Sequence, residues 1–142
     1  MPGSLCTEMP AELARAVCLD RFGGPEVLGV VKLPVPDMER DDIRIRVRAA
    51  AVNPADLVLR AGARAAALTE FGPPYVPGMD AAGTIEAIGD GVTDLAPGDR
   101  VMAAVTPYRA AGGAQTEVLV VPAASVVRLA DGLGLEAAAT LP

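Results

Sequence analysis

The sequence predicts a mainly β domain, a small distorted barrel with short helices. Three observations carry that expectation. Short β-like runs are parted by Gly- and Pro-containing turns roughly every 8 to 12 residues, a rhythm that favours a barrel or sandwich over a βαβ sheet. Within residues 43–48, Ile43, Ile45 and Val47 alternate with Arg44, Arg46 and Arg48, so one strand face is apolar and the other charged. No Gly-rich turn follows a strand and opens a helix, because Gly23-Gly24 and Gly112-Gly113 have neither the spacing nor the context of a phosphate-binding loop.

The elements follow in order. After a short Ala-rich piece at residues 10–16, a first β-like run ends at Gly23-Gly24-Pro25 and a second at Pro34-Val35-Pro36-Asp37. The arginine face of residues 43–48 reads as a solvated outer face, with a grip for an anion as the alternative. Residues 53–62 predict a short helix near 54–61: Asn53 is a capping residue, Pro54 suits the first helical position, Asp56 suits the positive helix end, and Gly62 stops the run. Residues 63–72 read as an irregular Ala-rich linker, and residues 73–78 hold too much proline for a central strand. Residues 81–88 are a strand in which Gly83 signals close backbone approach. Turns at Gly89-Asp90-Gly91 and Ala96-Pro97-Gly98-Asp99 lead into a strand at 100–105. Strands at 116–121 and 126–129 come next, and a helix-like run begins after Leu135.

Composition bounds the function. The 142 residues, 51% apolar and 21% charged with a net charge of −6, fit one domain or one domain plus a fragment of another. With 27 Ala, 17 Val and no Trp, the core is built from small and β-branched side chains. One Lys and dispersed Arg give no basic stripe, which argues against nucleic-acid and membrane-surface partners, and no apolar run reaches the roughly 18 residues of a membrane span. The absence of His removes Ser-His-Asp and Cys-His catalysis and any imidazole-based zinc site. Cys6 and Cys18 are too few for an all-thiolate zinc site and are expected to be reduced thiols of a cytoplasmic protein.

Four stretches in fixed order carry a resemblance. They are Ala51-Val52-Asn53-Pro54-Ala55-Asp56 with Arg60 and Gly62; Val76-Pro77-Gly78-Met79-Asp80-Ala81-Ala82-Gly83; Gly89-Asp90-Gly91-Val92 with Pro97-Gly98-Asp99-Arg100-Val101; and Gly112-Gly113-Ala114 with Glu136-Ala137-Ala138-Ala139-Thr140-Leu141-Pro142. In this order they resemble the GroES-like domain of the medium-chain dehydrogenase/reductase superfamily, in its zinc-independent quinone oxidoreductase branch. The resemblance implies a GroES-like barrel over residues 15–133, an extension at 1–14, and at 134–142 the start of a connection to a Rossmann domain. The chain is therefore expected to be the N-terminal, substrate-binding half of an NAD(P)H-dependent reductase of quinones or α,β-unsaturated carbonyls, inactive alone.

The resemblance also implies site residues. Zinc enzymes of the superfamily hold their metal with a Cys where this chain has Asn53 and a His where it has Met79, so no zinc is expected. Asn53, with Pro54, is expected at the nicotinamide, where an amide can donate and accept hydrogen bonds without carrying charge. Capping of the helix is the competing reading of Asn53, and both can hold. Many relatives have Tyr where this chain has Val58, which removes a candidate proton donor. Val58, Met79 and Tyr108 are the expected substrate-cleft residues, with Met79 and Asp80 also read as packing and turn residues of the cleft wall. NADPH or NADH is expected to bind only with the Rossmann domain, in cis or in trans, and a homodimer is allowed. The alternative function is a stand-alone barrel acting as a binding or assembly module without redox activity.

Overall fold

The computed structural model describes residues 11–142, so Cys6, Pro10 and most of the expected extension lie outside the described residues. Two antiparallel sheets are formed. The smaller pairs β1 (Leu13–Cys18) with β2 (Gly29–Pro34), so the Ala-rich piece enters a strand whose Ala14, Ala16 and Cys18 point inward. The larger has the order β6-β3-β4-β5-β7, from β3 (Asp42–Ala50), β4 (Asp80–Ile88), β5 (Arg100–Ala104), β6 (Val118–Pro122) and β7 (Val126–Arg128). Helix α1 (Pro54–Arg60) links β3 to the segment before β4, and α2 (Leu135–Ala138) closes the described chain. The mainly β expectation stands, with the sheets open and joined by bridges between Ala16 and Thr116 and between Leu19 and Tyr75.

Alternation in β3 decides what lies inside. Ile43 and Ile45 are buried with Ile85, Val101, Leu119 and Val121, a core of aliphatic side chains each contributing roughly 1.5–3 kcal/mol on burial. On the opposite face, Arg44 and Arg46 form neither a free solvated surface nor an open anion grip. The register runs from Arg44↔Ala87 to Ile45↔Ile85, so Glu86 has no residue opposite it and sits in a bulge. Its carboxylate accepts from Arg46 Nε at 2.7 Å and lies 3.4 Å from Arg44 Nε, while Arg44 Nη1 donates to Glu12 Oε2 at 3.0 Å. The bulge residue thus converts a row of like charges into an ion-pair network.

Gly83 shows why the sheet needs small residues. A Cβ there would lie 2.1 Å from the Arg46 carbonyl oxygen, a backbone atom that cannot swing away. The linker at 63–72 differs from its expected irregular form: Ala65–Leu68 is a 3-10 turn that inserts Leu68 among Leu19, Val27 and Leu59. One large apolar residue in a run of alanines has no period to read.

Two outcomes follow from these contacts. Gly83→Ala is expected to destabilise the domain by about 1–3 kcal/mol in urea denaturation through overpacking against the β3 backbone. Acid sensitivity is the second. The hydrogen bond from Arg128, then that from the Ala96 N–H, holds the Asp99 carboxyl below its ordinary value, and the Arg15 hydrogen bond does the same for Glu117. A carboxyl depressed in the folded state contributes its stability above its unfolded pKa, about 4 for these groups, and loses it as pH falls through the folded value. The denaturation midpoint should therefore fall as pH drops below about 4, and Asp99→Asn should flatten that fall.

Candidate functional site

Asp56 is the one buried charged side chain among the described residues, at 5% exposure. Its Oδ2 accepts from the Asn53 backbone N–H at 2.8 Å, satisfying a donor at the helix start, and its Oδ1 accepts from the Gly78 N–H, also at 2.8 Å. One carboxylate therefore fastens the start of α1 to the segment that enters β4. Gly78 has φ +104° and would place a Cβ 2.8 Å from the Gln115 backbone nitrogen, so only glycine fits this junction. The segment is stitched on its other side by Gly113 N–H to Val76 O (2.8 Å) and Ala114 N–H to Gly78 O (2.9 Å).

On this scaffold Asn53 takes the capping place its residue type suggested, and its side chain also bonds to β4. Its backbone is extended (φ −110°, ψ 160°), as an N-cap requires, and Asn53 and Asp56 form a capping box. The Asp56 N–H bonds to the Asn53 carbonyl at 2.9 Å, so the contact from the Asn53 side chain is secondary. The stronger side-chain bond runs elsewhere: Nδ2 donates to Asp80 Oδ2. A carboxylate only accepts, so this bond fixes which end of the amide faces Asp80 and turns Oδ1 toward the helix. One Nδ2–H and one Oδ1 lone pair remain available at a half-buried position.

The structure gathers some of the expected residues and not others. Met79 stands between Gly78 and Asp80, both bonded to the start of α1, which brings it beside Asn53 and Pro54. Pro54 is exposed, and Val58 is 38% exposed on the open face of α1 with Leu57 nearby. Tyr108 is on a different side: it packs with Leu19, Val27, Leu59 and Leu68, together with the stacked pair Phe22 and Tyr75 (5.4 Å between ring centres). No described hydrogen bond links Tyr108 to Asn53. Asp80, read from sequence as a wall and turn residue, has the larger part as the partner of the Asn53 amide. The antiparallel register Ala50↔Ala81, continued by Ala51 N–H to Asp80 O at 3.1 Å, brings residues 53 and 80 together, and no short spacing rule reveals it.

Among the described residues no group of three or more Cys, Asp and Glu side chains is arranged to hold a metal, and no helix is long and apolar enough to cross a membrane.

Residues 39–131 match the alcohol dehydrogenase GroES-like domain family. The chain belongs to that family. It falls within the quinone oxidoreductase branch of the medium-chain dehydrogenase/reductase superfamily. It is 42% identical over 99 residues to a quinone oxidoreductase of Lama guanicoe, an alignment covering 66% of this chain and 28% of that protein. The solved quinone oxidoreductase of Coxiella burnetii superposes with a TM-score of 0.85 at 28% identity, over 92% of this chain and 41% of that one. That of Escherichia coli, complexed with NADPH, gives 0.74 at 27% identity over 89% and 36%. The chain thus spans less than half the length of each of these relatives.

Asp56→Asn is expected to lower stability by about 1–3 kcal/mol, because its amide NH2 must face one of two backbone N–H donors. The measurement is urea denaturation with an unchanged m value, and Asp56→Glu should not restore the loss.

Proposed function

We propose that this GroES-like domain forms the substrate side of an NAD(P)H-dependent, zinc-independent oxidoreductase that reduces quinones or α,β-unsaturated carbonyls. The observation that carries this reading is the Asn53 amide, pinned by Asp80 at a rim whose neighbours Val52, Leu57 and Val58 are exposed and apolar. The relatives named as quinone oxidoreductases support it, as does the NADPH bound by the Escherichia coli protein. In the proposed enzyme a nicotinamide, held by a Rossmann domain in cis or in trans, would supply hydride when bound. This chain contributes orientation and exclusion of water: Asn53 offers an N–H or a lone pair to the nicotinamide or the substrate carbonyl, Pro54 and Val58 cover the hydride path, and Met79 borders it. Val58 has no ionisable proton, so this position offers no side-chain donor for the proton that completes reduction of an enone, and solvent is the donor we propose.

Zinc independence rests on the donor set. The positions of Asn53 and Met79 offer a neutral amide and a soft, neutral thioether, poorly matched to a catalytic zinc that favours thiolate and imidazole.

In the protein that joins this chain to its nucleotide-binding half, Asn53→Ala should lower turnover by about tenfold or more while leaving the fold intact at the roughly 0.5–2 kcal/mol cost of a lost cap, and Tyr108→Phe should change turnover less. Steady-state assays with a naphthoquinone and NADPH, paired with thermal melts, measure both. Unchanged turnover in Asn53→Ala, or one zinc per chain by elemental analysis, would overturn this reading. Residues 1–142 alone should not bind NADPH at micromolar concentration, because the described helices that follow glycines, Pro25–Val27 after Gly23-Gly24 and α2 after Gly132 and Gly134, are single turns and open no βαβ unit among the described residues.

A further inference from the structure

A half-open cavity of about 440 Å3 lies between the two sheets, in the range of small-molecule sites. None of Asn53, Pro54, Val58, Met79 and Tyr108 lines it. Its floor is the outer face of β6, Val118 and Val120, which makes an edge strand buried on both faces. Ala14 and Ala16 of β1, with Leu33 and Phe71, form the walls.

Arg109 is the single charged side chain among the described lining residues. Its Nε donates to Gly112 O at 2.8 Å and its Nη1 to Val120 O at 3.0 Å, which fixes the plane of the guanidinium and caps a carbonyl of the edge strand. Nη2 has no hydrogen bond to the described residues, and no described carboxylate lies within ion-pair distance of Arg109. Burial pushes its pKa down, and the more distant Asp42 offsets that only in part. Arg44, Arg46 and Arg128 of the large sheet each reach a carboxylate, whereas Arg100 there donates to the Leu133 carbonyl. A partly buried cation with no carboxylate partner among the described residues, set in an apolar wall, is an incomplete pair.

We propose that this cavity binds a small monocarboxylate with an apolar body, its carboxylate on Arg109 and its chain along Val118 and Val120. The single cation matches one negative charge and would leave a phosphate dianion half neutralised among aliphatic side chains. A neutral carbonyl would recover little of what the guanidinium lost on burial, whereas a carboxylate forms a charge-assisted bond. A peptide is disfavoured by the rim, where Pro34, Pro36, Pro73, Pro74 and Pro107 offer no N–H to a bound backbone.

The test titrates the chain with decanoate and with decanol, which shares the alkyl body and lacks the charge. Heat and the Arg109 side-chain N–H resonances are followed together. Decanoate is expected to saturate a single site, shift the Arg109 resonances, and bind at least about tenfold more tightly than decanol, the scale of a charge-assisted hydrogen bond. Arg109→Gln should weaken decanoate by a similar factor. Because that substitution also removes the bonds to Gly112 and Val120, Ala111→Trp is the second variant: it fills the exposed mouth, keeps those bonds, and should abolish binding. Equal binding of decanol, survival of binding in Ala111→Trp, or no saturable binding would overturn the proposal. Competitive displacement by 1,4-naphthoquinone would reassign the cavity to the reductase substrate and overturn it too.

Discussion

The Asp56 carboxylate is the contact on which the geometry of the candidate site depends. It is buried and ionisable, and both of its oxygens are taken by backbone N–H groups from separate parts of the chain, Asn53 and Gly78. Without it the two donors would remain in a site with little water, and the start of α1 would lose its fixed distance from the entry to β4. The Asn53–Asp80 bond needs that distance, since Asp80 is the first residue of β4 and Asn53 the residue before α1. A charge that performs no chemistry thus sets where the one well-placed amide points.

Small residues make this arrangement possible. Aromatic side chains are 3% of the sequence, so strands and loops approach through Ala and Gly. Gly83 lies against the β3 backbone, and a Cβ on Gly113 would lie 2.3 Å from the Gly78 carbonyl. The aromatic residues that do occur gather around Leu19, Leu59 and Leu68, with Tyr108 among them. That explains why Tyr108, attractive in sequence as a rare polar aromatic, is divided between a loop and a core cluster, while the rim near Asn53 is lined by aliphatic Val52, Leu57 and Val58.

Local rules made much of the fold legible. Alternation placed β3 with Ile43 and Ile45 inward, and Asn53-Pro54 with Gly62 bracketed α1. Gly83 signalled a close approach that the backbone makes. Features set by register were hidden. Glu86 is ordinary in sequence, and only the bulge opposite Arg44 and Ile45 gives it two arginines. Asp80 is a loop-end acid until the β3–β4 pairing sets it beside Asn53. The open sheets, joined by isolated bridges, likewise depend on contacts about 100 residues apart, between Ala16 and Thr116.

Arginine illustrates the difference most sharply, because sequence gives each guanidinium the same charge and reach. Arg44 and Arg46 share Glu86 and Glu12, Arg15 holds Glu117, and Arg128 holds Asp99, so these cations are neutralised where they stand. Arg109 spends its donors on two carbonyl oxygens, which carry partial charge and leave the full positive charge uncompensated. Mending the edge of β6 accounts for Nη1, since Val120 lies on an edge strand and its carbonyl needs a donor, while Nε ties the loop at the Gly112 carbonyl. A neutral donor would mend that edge without desolvating a charge. The positive charge therefore exceeds what the edge requires, and the apolar cavity beside it is where an anion would fit.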